Sequence, residues 1–340
     1  MLQIGLAILW AMLVTLFAIP SIIYVAHSKQ LLDRPNHRTV HQELTPRLGG
    51  IAIFAGFMSA VTIFGAINDS IQYILAGCLI IFFLGTKDDI VTLSAFKKFF
   101  GQVLAASIVI FMGNIRITSF YGFLGIGELN IIFSYVFTLF VIIGVTNALN
   151  LIDGLDGLAG TIVTVICTSF GIYFFMTGMP YAFLCFAMVG AIAGFLRFNF
   201  YKAKIFMGDA GSLLCGFVVS TLAIKFIASN ILPTGPALAM AVLIIPITDT
   251  IRVFTARILN GHSPFRPDKR HLHHRLLAAG LPQLGVVGFL AGLNLLVISL
   301  TVLLGFLGNT TIILLMVSVM LIFNFLLEAM VKRRLTDGQA

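Results

Sequence analysis

Amide and carboxylate side chains recur at every third position in one short stretch, at Asn147, Asn150, Asp153 and Asp156. In a helix, residues three apart lie on neighbouring parts of one face, so this spacing predicts a strip of oxygen ligands. A glycine follows each of the two acids and would let the backbone approach a ligand. Such oxygens suit a hard cation, because Mg²⁺ typically takes one or two carboxylates and completes its shell with water and substrate phosphate.

Three more carboxylates occur at the predicted ends of apolar helices. Asp209 follows Gly208 at the predicted start of a helix, where a carboxylate meets free backbone N–H groups. Asp88 and Asp89 are adjacent and repel each other, so a cation or a bound proton would relieve them. We expect one acid of this pair to hold a metal while the other orients or deprotonates a nucleophile.

Basic residues and histidines gather in the segment 264–275. It contains Arg266, Asp268, Lys269, Arg270, His271, His273, His274 and Arg275. If this segment is helical, His271 and His274 share a face and His273 points elsewhere. Contacts to phosphate or to a nucleotide sugar are the favoured interpretation. Zinc is an alternative, although no cysteine accompanies the histidines and the arginines would repel the metal. A basic loop facing lipid headgroups is a third.

Composition shows which elements must position these residues. The 340-residue chain is 59% hydrophobic and only 10% charged, and its mean hydropathy is +1.06. A soluble domain carries about 25% charged residues, so the apolar surface must face lipid. Because a helix crosses the hydrocarbon in about 20 apolar residues, we predict an all-α polytopic membrane protein that forms a single domain over 1–340. The eleven predicted spans are 2–25, 49–68, 71–86, 100–113, 130–147, 158–177, 181–199, 210–228, 237–257, 285–306 and 310–331.

Lysine and arginine indicate the orientation, because they accumulate on the cytoplasmic side. All of them except Arg116 and Lys225 lie in or near one set of segments, which we therefore predict to be cytoplasmic. This set is 26–48, 87–99, 148–157, 200–209, 258–284 and 332–340, and all but the last are expected to form the active site. The N-terminus is then outside and the C-terminus inside. The net charge of +8 needs no nucleic acid to explain it.

The acids lie on the same side as the basic residues. All except Asp69 and Glu128 fall in the predicted cytoplasmic segments or near the inner ends of spans, and Asp249 falls within the ninth predicted span. Ionisable residues at membrane depth are costly and indicate function. Any single acid could be explained as a charge at a helix end that water solvates, but this does not explain all the acidic clusters together. Carboxylate-held magnesium, basic side chains and a lipid environment together indicate phosphoryl chemistry on a lipid phosphate.

Motifs in these segments resemble those of a known family. The matching stretches are, in order, Asp33–Asn36 with His41, Pro46–Gly50, Asp88-Asp89, Asn147–Gly157, Phe206–Ser212 and Pro264–His274. As a set they resemble the polyprenyl-phosphate N-acetylhexosamine-1-phosphate transferases, specifically the WecA/TagO-like branch. The His-x-His-His arrangement differs from the consecutive histidines of the MraY branch and argues against a muramyl-pentapeptide donor.

The resemblance implies transfer of N-acetylglucosamine-1-phosphate from UDP-N-acetylglucosamine to undecaprenyl phosphate with release of UMP, as the first membrane step of a cell-envelope glycan pathway. It implies that the enzyme uses magnesium, with manganese as an alternative, and that it lies in the inner membrane with its active site facing the cytoplasm. A homodimer is a further expectation. Catalytic roles are implied for Asp88, Asp89, Asp156 and Asp209, and metal ligation for Asp209 and Asp153. Substrate binding is implied for Asp33, Asn36, Arg38, His41, Arg47, Asn147, Asn150, Arg266, Asp268, Arg270, His271, His273 and His274.

Other interpretations remain open. The same reaction with another UDP-linked N-acetylated sugar would use most of these residues. A transporter would also place carboxylates in membrane helices. Transporters often contain inverted repeats, however, and this sequence shows no convincing internal repeat. The acids here also cluster at one face of the membrane rather than near its midplane. A non-catalytic scaffold has no need for both the Asn/Asp strip and the Asp209 motif.

Overall fold

The computed structural model describes residues 1–32, 44–67, 69–230, 232–263 and 270–337, and these fold almost entirely into helices. The helices are α1 Leu2–Ser28, α2 Gly49–Phe64, α3 Asp69–Ile90, α4 Ala95–Ser107, α5 Ile131–Ile152, α6 Leu158–Met176, α7 Tyr181–Asn199, α8 Gly208–Ala228, α9 Gly235–Val242, α10 Ile244–Leu259, α11 Leu272–Ala278, α12 Gln283–Leu303 and α13 Gly308–Asp337. The α4 helix continues as a π-helical turn through Met112.

The prediction of an all-α polytopic membrane protein is confirmed. Within the described ranges, nine helices are long and apolar enough to cross a membrane, or ten if α9 and α10 form one bent span. The remaining predicted span, α2, is apolar but has only 16 residues. Each of the eleven predicted spans therefore corresponds to a helix or to the bent pair, although α2 is short for a crossing.

Several predicted boundaries were wrong, and two of the errors concern the site. The third helix runs on to Ile90, so Asp88 and Asp89 lie in its last turn and not after it. The fourth begins at Ala95 and not at 100, because its first turns are amphipathic and carry Lys97 and Lys98. A search for apolar runs misses such a start.

The predicted ninth span is broken in two, with α9 and α10 bent by 73° around Leu243. Pro246 explains the break, because a proline in a helix lacks its N–H and its ring clashes with the carbonyl four residues back, here that of Val242. Asn294 of α12 donates from Nδ2 to the carbonyls of Ala241 and Val242 at 3.0 and 3.3 Å. The freed backbone groups are thus satisfied by a neighbouring helix, as hydrocarbon surroundings require.

Helix α8 is the centre of the bundle. Almost all of its residues are buried, and it packs against α2, α3, α5 and α6. The helices α4 and α8 begin where α3 and α5 end, and we call this the site end of the bundle. The chain order therefore brings the acids at the ends of α3 and α5 to the first turn of α8.

A small hairpin within 114–129 lies at the opposite end of the bundle. Phe120 donates its N–H to the Gly127 carbonyl at 3.0 Å. Asn309, at the start of α13, accepts from the Ala237 N–H at 3.2 Å and donates to the Pro233 carbonyl at 2.8 Å. This buried asparagine ties α13 to α9, far from the site end.

Candidate active site

Asp89 holds the first turn of α8. Its Oδ1 accepts the backbone N–H of Asp209 at 2.7 Å, and its Oδ2 accepts that of Ala210 at 2.9 Å. Free N–H groups and the positive end of the helix dipole both favour a carboxylate at this position. Both oxygens of Asp89 are thus engaged with backbone, and Asp89 fixes where Asp209 lies.

Glycines allow this close approach. Gly208 has φ of 69°, and a β-carbon there would collide with the Arg47 carbonyl and lie 2.7 Å from Asp89 Oδ2. A β-carbon on Gly85 of α3 would lie 2.5 Å from Cα of Ala210. L-residues with a side chain rarely adopt such φ values, so the glycine before Asp209 is a requirement of the backbone.

Two of the motifs pair with each other through backbone hydrogen bonds. The Phe206 N–H donates to the Pro46 carbonyl at 2.8 Å, and the N–H groups of Gly49 and Gly50 donate to the carbonyls of Phe206 and Met207 at 2.9 and 2.8 Å. This pairing places Arg47 beside Gly208. The segment around Pro46–Gly50 is therefore part of the site.

Lys98 of α4 joins two of the acids. Its Nζ lies 2.5 Å from Oδ2 of Asp88 and 2.5 Å from Oδ2 of Asp209. The other Asp88 oxygen accepts the Leu93 N–H at 2.6 Å, which closes the turn between α3 and α4. Reasoning from the sequence missed Lys98, because its charge was assigned to the general basic bias of one membrane side. The available signal was a lysine ten residues after Asp88 in an amphipathic helix start.

The predicted amide strip is only partly helical. Asn150 donates from Nδ2 to Asp209 Oδ1 at 3.2 Å and to Ser212 Oγ at 2.8 Å, so it lies at the site. Asn147, one turn deeper, forms a reciprocal amide pair with the buried Gln102 of α4 at 2.8 and 3.2 Å. Helix α5 ends at Ile152, so the prediction of one helical strip through Asp156 was wrong.

The two acids of the strip beyond the helix lie in a turn with different partners. Asp156 accepts the Ala203 N–H at 3.1 Å, and the following Gly157, at φ of 77°, donates its N–H to Asn199 at 2.9 Å. Asp153 ends α5, and burial together with the negative charges of Asp209 and Asp89 raises its pKa to about 7. Asp153 is thus electrostatically coupled to Asp209, whereas Asp156 organises the loop before α8.

Asp209 and Asp153 offer the chemistry that magnesium prefers, carboxylate oxygens whose mutual repulsion a cation relieves. Within the described parts of the chain, no group of three or more His, Cys, Asp or Glu side chains forms a metal cage. A complete protein cage is not required, because Mg²⁺ is usually held by one or two carboxylates and by substrate phosphate. The donor types present therefore fit magnesium, which at Asp209 would take the place of Lys98 Nζ or of Asn150 Nδ2.

The histidines lie on and before the short helix α11. His271 precedes the helix and its Nδ1 lies 2.8 Å from Oδ2 of Asp249. The condition under which His271 and His274 would share a face is not met, because α11 begins only at Leu272. The His271 ring stacks beside that of His273, with centroids 5.8 Å apart. His274 is tilted against His273 at 4.3 Å.

His273 connects α11 to the turn that carries Asp153. Its Nε2 lies 2.7 Å from where a β-carbon on Gly154 would be, and this buried nitrogen has no hydrogen-bond partner in the part of the chain that the structure describes. Burial and the neighbouring His274 lower the pKa of His273 to about 3, so it is neutral at physiological pH. Arg270, just before the helix, contributes its backbone carbonyl as acceptor for Arg252 of α10.

The structure therefore brings Asp88, Asp89, Asn150, Asp153 and Asp209 together, with Arg47 and His273 at their border. Five further predicted residues have the other partners described above, namely Asn147, Asp156, Arg270, His271 and His274. The last six, Asp33, Asn36, Arg38, His41, Arg266 and Asp268, lie outside the described residues. The fold and this site define a polytopic membrane protein with a charged site of carboxylates, one lysine and histidines at one end of its helices.

Comparison with known proteins shows the family. The model of glycosyl transferase family 4 matches residues 71–227. The chain is 32% identical to an undecaprenyl-phosphate alpha-N-acetylglucosaminyl 1-phosphate transferase of Yersinia pestis over 74% of its length and 70% of the relative's. It is 32% identical to a probable undecaprenyl-phosphate N-acetylglucosaminyl 1-phosphate transferase of Bacillus subtilis over 88% and 86%. It is 33% identical to a decaprenyl-phosphate N-acetylglucosaminephosphotransferase of Mycobacterium leprae over 82% and 78%.

The chain belongs to this family, the polyprenyl-phosphate N-acetylhexosamine-1-phosphate transferases, and to the WecA/TagO-like branch that its motifs indicate.

Proposed function

We propose that this protein transfers N-acetylglucosamine-1-phosphate from UDP-N-acetylglucosamine to undecaprenyl phosphate and releases UMP. The observation that carries the proposal is the convergence of Asp88, Lys98 and Asp209 at the site end of the helices. An anionic lipid headgroup reaches such a position while its tail stays in hydrocarbon. The names of the relatives support the sugar and the lipid phosphate.

The contacts of each side chain indicate its role in the proposed reaction. Lys98 supplies an ammonium, which contacts Asp88 and Asp209 and has the charge and the hydrogen-bond donors to bind phosphate oxygens. Asp88 has one oxygen that contacts a side-chain cation, Lys98, and accepts no backbone N–H from the described residues, so Asp88 is the acid best placed to orient the lipid phosphate. Asp89 is committed to the backbone of α8 and acts by holding Asp209. We therefore assign Asp89 a positioning role and not that of a base.

Magnesium belongs to the proposal, with Asp209 and Asp153 as the residues that would hold it. When bound, it supplies positive charge that offsets the donor diphosphate. Asn150 orients Asp209 through the 3.2 Å hydrogen bond to Oδ1. The basic bias of the loops supports a site that faces the cytoplasm from the inner membrane, with the N-terminus outside. The homodimer stays a prediction.

The test is UMP release from purified protein in detergent, with undecaprenyl phosphate, Mg²⁺ and a panel of UDP-sugars. The variant Asp209→Ala and an EDTA-treated sample test the metal site, and Glu128→Gln, an exposed acid of the hairpin, is the matched control. We expect UMP only with UDP-N-acetylglucosamine, loss in Asp209→Ala, and loss in EDTA that added Mg²⁺ reverses.

Three other outcomes would change the proposal. UMP from another N-acetylated donor keeps the reaction and corrects the sugar. Activity that EDTA leaves intact removes magnesium from the mechanism. No release from folded protein with any donor rejects the transferase, and ion or solute uptake into proteoliposomes is then the next assay.

A further inference from the structure

Asp249 of α10 is a buried acid to which the proposed reaction gives no role. The residue is 2% exposed. A carboxylate so deep in a protein must be paired and hydrogen-bonded. Its partners all belong to α10 or to the start of α11: His271 Nδ1 at 2.8 Å, the Leu272 N–H at 2.8 Å and Arg252 Nη2 at 3.4 Å.

We propose that Asp249 is a positioning residue for the donor nucleotide, acting through His271 and α11; this inference rests on the proposed function. An ionised carboxylate only accepts hydrogen bonds, so Nδ1 of His271 carries the proton and Nε2 is the ring nitrogen that stays free for a ligand. Asp249 thereby fixes both the tautomer and the orientation of His271.

The same carboxylate also sets the position of the helix that follows. Oδ1 of Asp249 accepts the first N–H of α11, that of Leu272. One residue later, His273 packs its ring against Gly154, next to Asp153. The contact leaves no room for a β-carbon on Gly154, so a shift of α11 by a fraction of an ångström would change it. Asp249 thus links α10 to the turn at the proposed metal site.

The other end of α11 has a second anchor. Arg275 Nη2 lies 2.5 Å from Oε2 of Glu328 on α13. The Glu328 side chain is 52% exposed, whereas that of Asp249 is 2% exposed. Exposed ion pairs contribute little because water screens them. Asp249 is therefore the more deeply buried of the two anchors.

The experiment measures steady-state UMP release and the binding of UDP by calorimetry for four variants. Asp249→Ala removes the anchor, and Asp249→Asn keeps one oxygen for the Leu272 N–H. His271→Asn puts an amide nitrogen near the place of Nδ1 but has nothing at Nε2. Asn309→Ala is the matched control, because it removes a buried hydrogen-bonding side chain at the opposite end of the bundle.

We expect Asp249→Ala to raise the KM for UDP-N-acetylglucosamine at least tenfold, with less than a twofold change in the KM for undecaprenyl phosphate. Asp249→Asn should raise the KM for UDP-N-acetylglucosamine by a smaller factor. It provides the test if the alanine variant does not fold. His271→Asn should keep the melting temperature of the wild type and still weaken UDP binding. Asn309→Ala should lower the melting temperature and leave both KM values unchanged.

The inference is wrong if folded Asp249 variants bind UDP as tightly as the wild type, or if they raise both KM values equally. Either result leaves the proposed function standing, provided that the wild type releases UMP. A wild type that releases no UMP from any donor instead rejects the proposed function, and with it the inference that rests on it.

Discussion

The ammonium nitrogen of Lys98 lies 2.5 Å from Oδ2 of Asp209. Lys98 belongs to the first turns of α4, which a search for apolar spans does not include in the helix. The same nitrogen contacts Asp88, so two carboxylates that come from α3 and α8 share one cation. Removing it would leave two partly buried acids facing each other without a counter-charge. Removing one partner from a buried group of paired charges destabilises a protein more than replacing the whole group with apolar side chains.

Lys98→Met should therefore reduce UMP release at least 100-fold, while Lys98→Arg retains part of the activity because it keeps the charge. The matched control is Lys97→Met, which changes the exposed neighbour on the same helix turn and should stay within twofold of the wild type. Initial rates at saturating substrates are the measurement. Equal activities of Lys98→Met and Lys97→Met would remove Lys98 from the mechanism.

Asp89→Ala should act first on stability. It removes both hydrogen bonds to the first turn of α8, and loss of a side chain that caps a helix costs about 0.5–2 kcal/mol. We expect the melting temperature in detergent to fall by about 1–3 °C. Asp88→Asn should instead keep the melting temperature and lose activity. Similar melting temperatures for both variants would show that Asp89 does not hold α8.

The amide pair of Gln102 and Asn147 offers a double-mutant cycle. Asn147→Leu leaves the buried amide of Gln102 without its partner, which costs about 1–3 kcal/mol. Gln102→Leu leaves the Asn147 amide with its bond to the Ile143 carbonyl but without its side-chain partner. Replacing both partners with apolar side chains is less costly. The double variant should therefore be more stable than the sum of the single effects predicts. Additive melting-temperature changes would mean that the pair contributes no coupling.

His273 should make the protein sensitive to acid. Its pKa is about 3 in the folded state against 6.5 for an ordinary histidine, so the unfolded chain binds the additional proton between these values. Stability from the neutral ring is complete above pH 6.5 and falls by about 1.4 kcal/mol for each pH unit below it. His273→Asn should flatten the dependence of melting temperature on pH between about 7.5 and about 5.5.

The control for that measurement is His262→Asn, which changes an exposed histidine and should keep the dependence of the wild type. A wild-type slope that persists in His273→Asn would assign the acid sensitivity to other groups.

Much of the fold follows from the sequence because apolar length alone identifies a helix in a membrane. The Asp209 motif and Asn150 were also predictable, since glycines and spacing are local properties. Lys98 and Asp249 were not, because their roles depend on which helices become neighbours. The assignment of Asp156 to a helical face was wrong, because a spacing of three residues fits a helix but does not show where α5 ends.

The glycine contacts around the first turn of α8 also limit how the protein can be engineered. Replacing glycine with alanine in a helix is a common way to raise thermal tolerance, but Gly85 and Gly208 have no room for a methyl group. Gly144 of α5 and Gly288 and Gly292 of α12 would have nothing within 4 Å of an added β-carbon. Substitutions that stabilise the protein for crystallisation or inhibitor screening should be made at those three positions, because they would leave the geometry around Asp209 unchanged.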